Sequence, residues 1–291
     1  MRRPVVLVLI AIASVQFGAA IAKSIFDSAH PVTLAFLRAF IAALIFLAIS
    51  RPRLRGRTGR DWLLVIAYGL SLSGMNMLIY LSFQRIPIGL AVTLEFVGPL
   101  ALAVLGSRRL IDLVWVCLAA AGVVILGVGP SELDIPGVLL ALGAGALWAC
   151  YIALAGPIGR RWEGMSGLVV GSFIGAAALA VPGSLVADGA FTHLTVLGVM
   201  AAVALLSTVI PYALELQARR SMKAATFSIL MSLEPAAAAL FAWIVLGEWL
   251  QWPEWVAMAC VVIASIGAIR SAPTTVSPPQ AAQWGRHTDH A

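Results

Sequence analysis

Charged residues are scarce in this sequence. Of its 291 residues, only 11% are Asp, Glu, Lys or Arg, whereas 61% are hydrophobic. A soluble domain is usually about 25% charged and about 45–50% apolar. The composition therefore excludes an ordinary soluble fold and predicts an integral membrane protein.

Motifs of several enzyme classes are also missing. The cysteines Cys117, Cys150 and Cys260 show neither metal-ligand nor redox spacing. The sequence has no G-x-x-x-x-G-K-[ST] loop and no H-E-x-x-H segment, so it predicts neither an ATPase nor a zinc protease. "GMSG" at 164–167 has the shape of an intramembrane serine protease motif, which needs a histidine near Ser166. Ser166 belongs at the cytoplasmic end of its span, whereas His30 and His193 belong at the outer side and His287 and His290 lie in the tail. We therefore predict no enzyme activity, no cofactor and no metal.

Long apolar runs recur along the chain, each close to the roughly 20 residues that a helix needs to cross a bilayer. Strands of a membrane barrel would alternate apolar and polar residues, so the runs predict helices, whose backbone hydrogen bonds are satisfied in lipid. The fold class is thus all-α integral membrane, with ten transmembrane helices. The predicted spans are 5–23, 33–50, 62–83, 88–106, 111–129, 136–156, 166–186, 194–215, 224–246 and 253–270.

The basic residues fall mostly in alternate loops between these spans. Arginine and lysine in short loops mark the cytoplasmic side, and one set of alternate segments holds most of the 19 basic residues: Arg2, Arg3, Arg51, Arg53, Arg55, Arg57, Arg60, Arg108, Arg109, Arg160, Arg161, Arg219, Arg220, Lys223, Arg270 and Arg286. The opposite loops hold Lys23, Arg85 and several acids: Asp27, Glu132, Asp134, Asp188, Glu248 and Glu254. Both termini are therefore predicted to be cytoplasmic. The net charge of +6 indicates membrane orientation and not nucleic-acid binding.

Two segments of the chain correspond to each other. "IPIGLAVTLEFVGPLALAVLG" at 86–106 matches "MKAATFSILMSLEPAAAALFAWIVLG" at 222–247, with Pro99 aligned to Pro235. The spans that follow them also match, "DLVWVCLAAAGVVILG" against "PEWVAMACVVIASIG". The correspondence predicts an internal repeat.

The repeat divides the chain into two five-helix units, 1–131 and 132–270. A polar, Pro-rich tail at 271–291 follows and is predicted to be disordered and cytoplasmic. Because five is odd, the second unit enters the membrane from the opposite side. Inverted repeats of this kind are a recurring plan of secondary transporters.

Some of the most distinctive segments are "SGMNMLIYLSFQRIPIGLAVTLEFVGPLA", "ALGAGALWACYI", "STVIPYALELQ", "MSLEPAAAA" and "LGEWL". They resemble segments of the bacterial threonine/homoserine exporters, which belong to the drug/metabolite transporter superfamily with its EamA-like repeats. The resemblance covers the whole chain except its tail. It implies ten helices, a bacterial inner-membrane location and proton-driven export of amino acids.

Two glutamates interrupt apolar spans close to prolines. An ionised side chain at the bilayer centre costs at least about 2.5–3.5 kcal/mol, so such residues normally face a cavity or a partner. Pro99 leaves the carbonyl of Glu95 without its helical N–H donor, and Pro235 does the same for Met231. We predict that Glu95 and Glu234 bind the substrate ammonium group and carry the coupling proton. The alternative is that they only pair with neighbouring helices.

Three other charged residues are candidates for function. Arg38 is the only basic residue well inside a span, and its planar fork suits a carboxylate, either of the substrate or of Glu95; snorkelling to the surface is the alternative. Lys23 is predicted to be a gating or surface residue. Glu215 is also predicted to be a gating or surface residue. Its alternative role is an ion pair with Arg219, which lies four residues later on the same helix.

A polar stripe runs along the third predicted span through Ser73, Asn76, Tyr80 and Gln84, and it predicts either cavity lining or helix–helix hydrogen bonds. Aromatic residues in other spans serve as cavity walls or as packing. Small residues in "GALWA" and "IASVQFGAAIA" predict close helix packing. The predicted substrate-lining residues besides the charged ones are Gln16, Asn76, Tyr80, Trp148, Tyr151 and Tyr212.

These features predict a proton-coupled secondary exporter of small neutral amino acids that works by alternating access. A zwitterion needs an acid for its ammonium group, here Glu95 or Glu234, and a base for its carboxylate, here Arg38. The substrate hydroxyl would meet Asn76 or Tyr80. Threonine and homoserine are the substrates that the resemblance implies, and protons and the lipid bilayer are the other partners. Two alternatives stay open, a broader drug or metabolite exporter and a non-transporting membrane subunit, and the oligomeric state is undetermined.

Overall fold

The computed structural model describes residues 2–105, 110–126, 134–187 and 189–271. Several sequence predictions lie outside these ranges. They concern Arg108, Arg109, Glu132, Asp188 and Arg286, the repeat boundary at 131/132, and tail residues 272–291.

Within the described ranges the regular structure is entirely helical. A π-helical turn, Leu205–Val209, joins the α-helices Leu194–Ala204 and Ile210–Arg219, and a 3₁₀ turn, Ala190–Thr192, precedes the first of them. The α-helices are α1 (Arg2–Lys23), α2 (Pro31–Ile49), α3 (Gly59–Phe83), α4 (Ile88–Glu95), α5 (Val97–Leu105), α6 (Leu110–Ile125), α7 (Ile135–Arg161), α8 (Ser166–Leu185), α9 (Leu194–Ala204), α10 (Ile210–Arg219), α11 (Ala224–Met231), α12 (Glu234–Leu246) and α13 (Trp252–Ser271).

Nine helical stretches of the described chain are long and apolar enough to cross a membrane, counting α4 with α5, α9 with α10, and α11 with α12 as one stretch each. The fifth predicted span, 111–129, corresponds to α6, which is a shorter apolar helix. The all-α fold class predicted from the sequence is therefore confirmed. The inverted arrangement of ten spans stays a prediction.

The helices pack closely through small residues, as the sequence predicts. Gly145 of α7 lies against the backbone of Glu95, so that a Cβ atom at position 145 would overlap the Glu95 carbonyl oxygen. Gly18 of α1 lies in the same way against the side chain of Ser207 in the π turn. Gly89 of α4 meets Ala239 of α12, where an added Cβ would lie 2.8 Å from the alanine Cβ. These contacts bring α1 and α4 close to helices of the second half of the chain.

Two of the membrane-length stretches are broken at the predicted acids. Helix α4 ends at Glu95 and α5 begins at Val97, because Pro99 cannot donate a hydrogen bond to the Glu95 carbonyl. Helix α11 ends at Met231 and α12 begins at Glu234, followed by Pro235. Each acid therefore lies at the end of a half-helix, a position that helps to bind ions in membrane transporters.

Ionic contacts join the connections at one end of the bundle, which we call the basic end. Arg161 Nη1 lies 2.8 Å from Asp61 Oδ1, so the end of α7 is tied to the start of α3. Asp61 also forms a capping box with Thr58, which fixes the first turn of α3. At the opposite end, Arg85 Nη1 lies 3.4 Å from Asp134 Oδ2. The helices between these two ends hold the candidate site.

Candidate functional site

Arg38 of α2 and Tyr80 of α3 meet in the bundle interior, in the half away from the basic end. The guanidinium carbon of Arg38 lies 4.8 Å from the centre of the Tyr80 ring, a cation–π contact. Both side chains are buried, Arg38 with 8% exposure and Tyr80 with none. No ion pair within the described residues involves Arg38. A buried guanidinium without a carboxylate partner is suited to bind an anionic group.

Glu95 lies near this pair at the end of α4. Its side chain is 8% exposed and interacts electrostatically with Arg38. The direct Glu95–Arg38 ion pair, one of the two predicted roles of Arg38, is not formed among the described residues. The acid and the base are thus neighbours whose charges are not neutralised by direct contact, an arrangement that could accept both ends of a zwitterion.

Two buried oxygen atoms of the predicted site make no hydrogen bond of good geometry with any described residue, although the Arg38 side chain interacts with Tyr80. They are Tyr80 Oη and Gln16 Oε1. Buried polar atoms nearly always have a partner in the protein or in ordered water. These two atoms are therefore candidates to bind water or a polar ligand.

Glu234 occupies the first position of α12 and is 8% exposed. Its carboxyl group interacts electrostatically with those of Glu95 and Glu215, and no ion pair of the described chain includes it. Glu234 is therefore within electrostatic range of Glu95, and the two predicted acids differ in their surroundings. Glu95 has the positive charge of Arg38 nearby, whereas the charged groups that act on Glu234 are both acidic.

A second group lies in the half of the bundle towards the basic end. The rings of Tyr151 on α7 and Tyr68 on α3 are 4.9 Å apart. Tyr212 of α10 contacts Phe46 edge to face at 5.6 Å and interacts electrostatically with Tyr151. Tyr68 was not among the sequence predictions. Its residue type could have indicated it, because the chain has only four tyrosines and the other three are all predicted to line the site.

Glu215 forms the helical ion pair that its spacing indicates. Arg219 Nη2 lies 3.2 Å from Glu215 Oε2, and the Arg219 guanidinium is 4.2 Å from the Phe227 ring centre. Electrostatic interaction with Tyr151 and Glu234 connects Glu215 to the interior. It can therefore contribute to a polar route from the basic end even while it is paired.

The remaining predicted residues lie at the margins of these two groups. Asn76 donates from Nδ2 to the Leu72 carbonyl at 2.7 Å, so part of its hydrogen-bonding capacity is used within α3. Trp148 packs edge to face on Phe96 at 5.1 Å, next to the break after Glu95. Lys23 Nζ donates to the Ile86 carbonyl at 3.1 Å, at the end of the bundle opposite the basic end. No group of three or more metal-binding side chains occurs in the described ranges.

Comparison with known proteins gives consistent similarities. Residues 135–270 match the profile of the EamA-like transporter family. The chain is 42% identical over 268 residues to the threonine/homoserine exporter RhtA of Escherichia coli strain K12, which covers 91% of this chain and 90% of that protein. The exporter of the same name from Salmonella typhimurium strain SL1344 matches with the same identity and coverage.

A solved structure supports the fold independently. A crystal structure with 18% sequence identity superposes with a TM-score of 0.60, covering 90% of this chain and 96% of that one. At this identity the match concerns the fold alone.

Proposed function

The chain belongs to the EamA-like transporter family, and we propose that it is a secondary active exporter of small neutral amino acids, with threonine and homoserine as its main substrates. The observation that carries the proposal is 42% identity over 91% of the chain to a threonine/homoserine exporter. The chemistry of the interior supports it, since an unpaired buried base lies near a buried acid. A transport role without enzyme activity fits the family.

The proposed binding mode uses both ends of the amino acid. Arg38 would bind the substrate carboxylate through its guanidinium fork. Glu95 or Glu234 would bind the ammonium group, helped by the carbonyl oxygens that Pro99 and Pro235 leave without helical donors. The substrate hydroxyl would bind Asn76 or Tyr80 Oη, which makes no hydrogen bond of good geometry with a described residue.

Alternating access between two inverted repeats, 1–131 and 132–270, is the proposed transport cycle. Helix breaks at corresponding places in the two halves support it, because paired discontinuous helices mark the binding sites of inverted-repeat transporters. The arginine-rich loops favour an inner-membrane orientation with both termini in the cytoplasm.

Proton coupling is assigned to the acids. Protonation of an acid that holds the ammonium group would remove its charge and release the substrate, so the carrier could return with a proton in place of the amino acid. Glu234 is the stronger candidate for the proton, since its charged neighbours are acids and no ion pair holds it. Glu95 is the stronger candidate for the ammonium group, because it lies near Arg38.

Substrate-dependent proton flux in proteoliposomes tests this proposal. Purified protein is reconstituted with a pH gradient, and threonine movement and internal pH are followed together for the wild type, Glu95→Gln and Glu234→Gln. Glu234→Gln should retain threonine exchange while losing proton-driven accumulation, and Glu95→Gln should lose both. If both variants retain pH-driven transport, the acids do not couple it. If the wild type moves no threonine, the transport proposal itself is wrong.

Competition by unlabelled substrates defines the specificity in the same assay. Threonine and homoserine should compete with labelled threonine, whereas leucine and a cationic dye should not. Competition by all four would instead favour a broad drug or metabolite exporter.

A further inference from the structure

Five arginines lie within ten positions at the basic end, in the connection from α2 to α3 and the first turn of α3. They are Arg51, Arg53, Arg55, Arg57 and Arg60. The structure divides them into two sets with different surroundings.

The first set binds the neighbouring connection between α7 and α8. Arg53 Nη1 lies 2.7 Å from Glu163 Oε2, and its backbone N–H donates to Ser166 Oγ at 3.1 Å. The Arg57 guanidinium lies 4.8 Å from the centre of the Trp162 ring and donates to the Arg161 carbonyl. These contacts hold the α2–α3 connection in a defined position.

The second set, Arg51, Arg55 and Arg60, is exposed and turned to the outside. None of the three forms an ion pair within the described part of the chain. We call these three residues the arginine rim. Arg51 and Arg55 lie on a connection that is itself held in place, and Arg60 lies in the first turn of α3, so an anion would meet donors on fixed backbone.

Apolar stripes lead from the membrane region to the arginine rim. On α3, Leu63, Ile66 and Leu70 are exposed at helical spacing, and Arg60 precedes Leu63 by three residues on the same face. On α2, Leu44, Leu47 and Ile49 are exposed just before Arg51. In a bilayer, apolar side chains exposed on a membrane-spanning helix would face lipid tails. The arginine rim, at the ends of these stripes, would then lie at the level of the headgroups.

We propose that the arginine rim binds the phosphate group of an anionic phospholipid, such as phosphatidylglycerol, whose acyl chains lie along the exposed stripes of α2 and α3. Guanidinium groups bind phosphate oxygens in a bidentate manner. Clusters of basic residues next to a membrane helix attract anionic headgroups. The partner is chosen on two features together, the negative charge that the rim requires and the apolar chains that the stripes require.

The alternative is that the arginines only orient the protein in the membrane. Orientation depends on the number of basic residues in a loop and not on their arrangement. Under that account the position of the removed charges does not matter. Removing the arginine rim and removing three basic residues elsewhere at the same end should then have equal effects on lipid binding. This difference provides the control.

Native mass spectrometry of the full-length protein in detergent, titrated with phosphatidylglycerol, tests the proposal. The rim variant carries Arg51→Gln, Arg55→Gln and Arg60→Gln. The control variant carries Arg3→Gln, Arg220→Gln and Lys223→Gln, which removes the same charge from other exposed positions of the same end. Each rim arginine removed should weaken binding about fivefold, and the control should bind like the wild type. Equal loss in both triples, or unchanged binding by the rim variant, would overturn the proposal.

Two further arms identify the ligand and guard against misfolding. Phosphatidylethanolamine, which has the same chains and no net charge, should bind less well, and glycerol 3-phosphate should not displace bound phosphatidylglycerol. Displacement by glycerol 3-phosphate would show a soluble-anion site and contradict the lipid assignment. If the triple variant does not fold, Arg55→Gln alone, which lies outside the helices, should still show the single fivefold loss, and wild-type binding by it would count against the rim.

Discussion

The ammonium nitrogen of Lys23 lies 2.5 Å from Glu248 Oε1, and the other carboxylate oxygen of Glu248 accepts a hydrogen bond of 3.0 Å from the backbone N–H of Ile88. One carboxylate thus joins the end of α1, the start of α4 and the connection after α12. These three segments come from both halves of the chain. If the halves move apart at this end during transport, this contact must break.

Removing one partner of the Lys23–Glu248 pair should destabilise the protein. Lys23→Gln or Glu248→Gln leaves the other charge partly buried without compensation, which we expect to lower the free energy of unfolding by about 1–3 kcal/mol. Chemical denaturation in detergent measures the change. Arg85→Gln is the control, because the Arg85–Asp134 pair at the same end is longer and more exposed, and exposed pairs contribute only about 0–1 kcal/mol. The double variant Lys23→Gln/Glu248→Gln should be less destabilised than the sum of the single variants, and strict additivity would contradict the coupling.

Replacing Arg38 should weaken recognition of the substrate carboxylate. Loss of a charge-assisted hydrogen bond corresponds to about 1.5–3 kcal/mol, so the KM for threonine in Arg38→Lys and Arg38→Gln should rise about tenfold to a hundredfold. Threonine methyl ester, which has no carboxylate, provides the matched ligand. Its competition with labelled threonine should be weak in the wild type and no weaker in the variants. A KM for threonine that stays at the wild-type value would remove Arg38 from the site.

Tyr80→Phe removes a buried hydroxyl group that makes no hydrogen bond of good geometry with any described residue. If this group binds the substrate hydroxyl, the preference for threonine over valine, a close isostere without the hydroxyl, should fall about twofold to tenfold. Transport of both amino acids by the same liposomes gives the ratio. Tyr68→Phe is the control, since it changes a tyrosine of the second group. An equal loss of preference in both variants would show a general effect on packing.

Gly145→Ala should disrupt the bundle, because the added Cβ would overlap the Glu95 carbonyl. Overpacking of this kind typically costs about 1–3 kcal/mol, and the break after Glu95 would have to shift. Gly198→Ala in α9 is the control, since an added Cβ there meets no atom within 4 Å, and alanine favours a helix over glycine by about 1 kcal/mol. Thermal unfolding should separate the two variants in opposite directions. A Gly145→Ala protein as stable as the wild type would contradict the contact.

The sequence predicts the helices well because membrane spans are defined locally by composition. Within the described residues each predicted span corresponds to one helix or to two consecutive helices, and the Glu215–Arg219 pair follows from its four-residue spacing. The partners of Lys23 and Arg38 could not be predicted in this way. Their contacts join residues far apart in the chain, and they depend on how the helices pack.

The breaks within spans were only partly foreseen. Pro99 and Pro235 indicate free carbonyl groups at Glu95 and Met231, and the helices do end there. The π turn before Pro211 was not predicted, although proline at that position removes the donor for the Ser207 carbonyl. Proline shows that a helical hydrogen bond is lost, but the neighbouring helices decide whether the chain bends, breaks or takes up an additional residue.

That turn has a consequence for the residues beyond it. Ser14 Oγ donates to the Leu206 carbonyl at 2.6 Å, and Ser207 Oγ donates to the Val15 carbonyl at 3.2 Å. Two hydrogen bonds therefore join α1 to the π turn. A π turn contains one surplus residue relative to an α-helix, and one residue corresponds to about 100° of rotation around the axis. The direction in which Tyr212 and Glu215 point around the helix axis therefore depends on this one additional residue. Deleting it would swing both side chains about a quarter of a revolution away from α7 while leaving α9 in register.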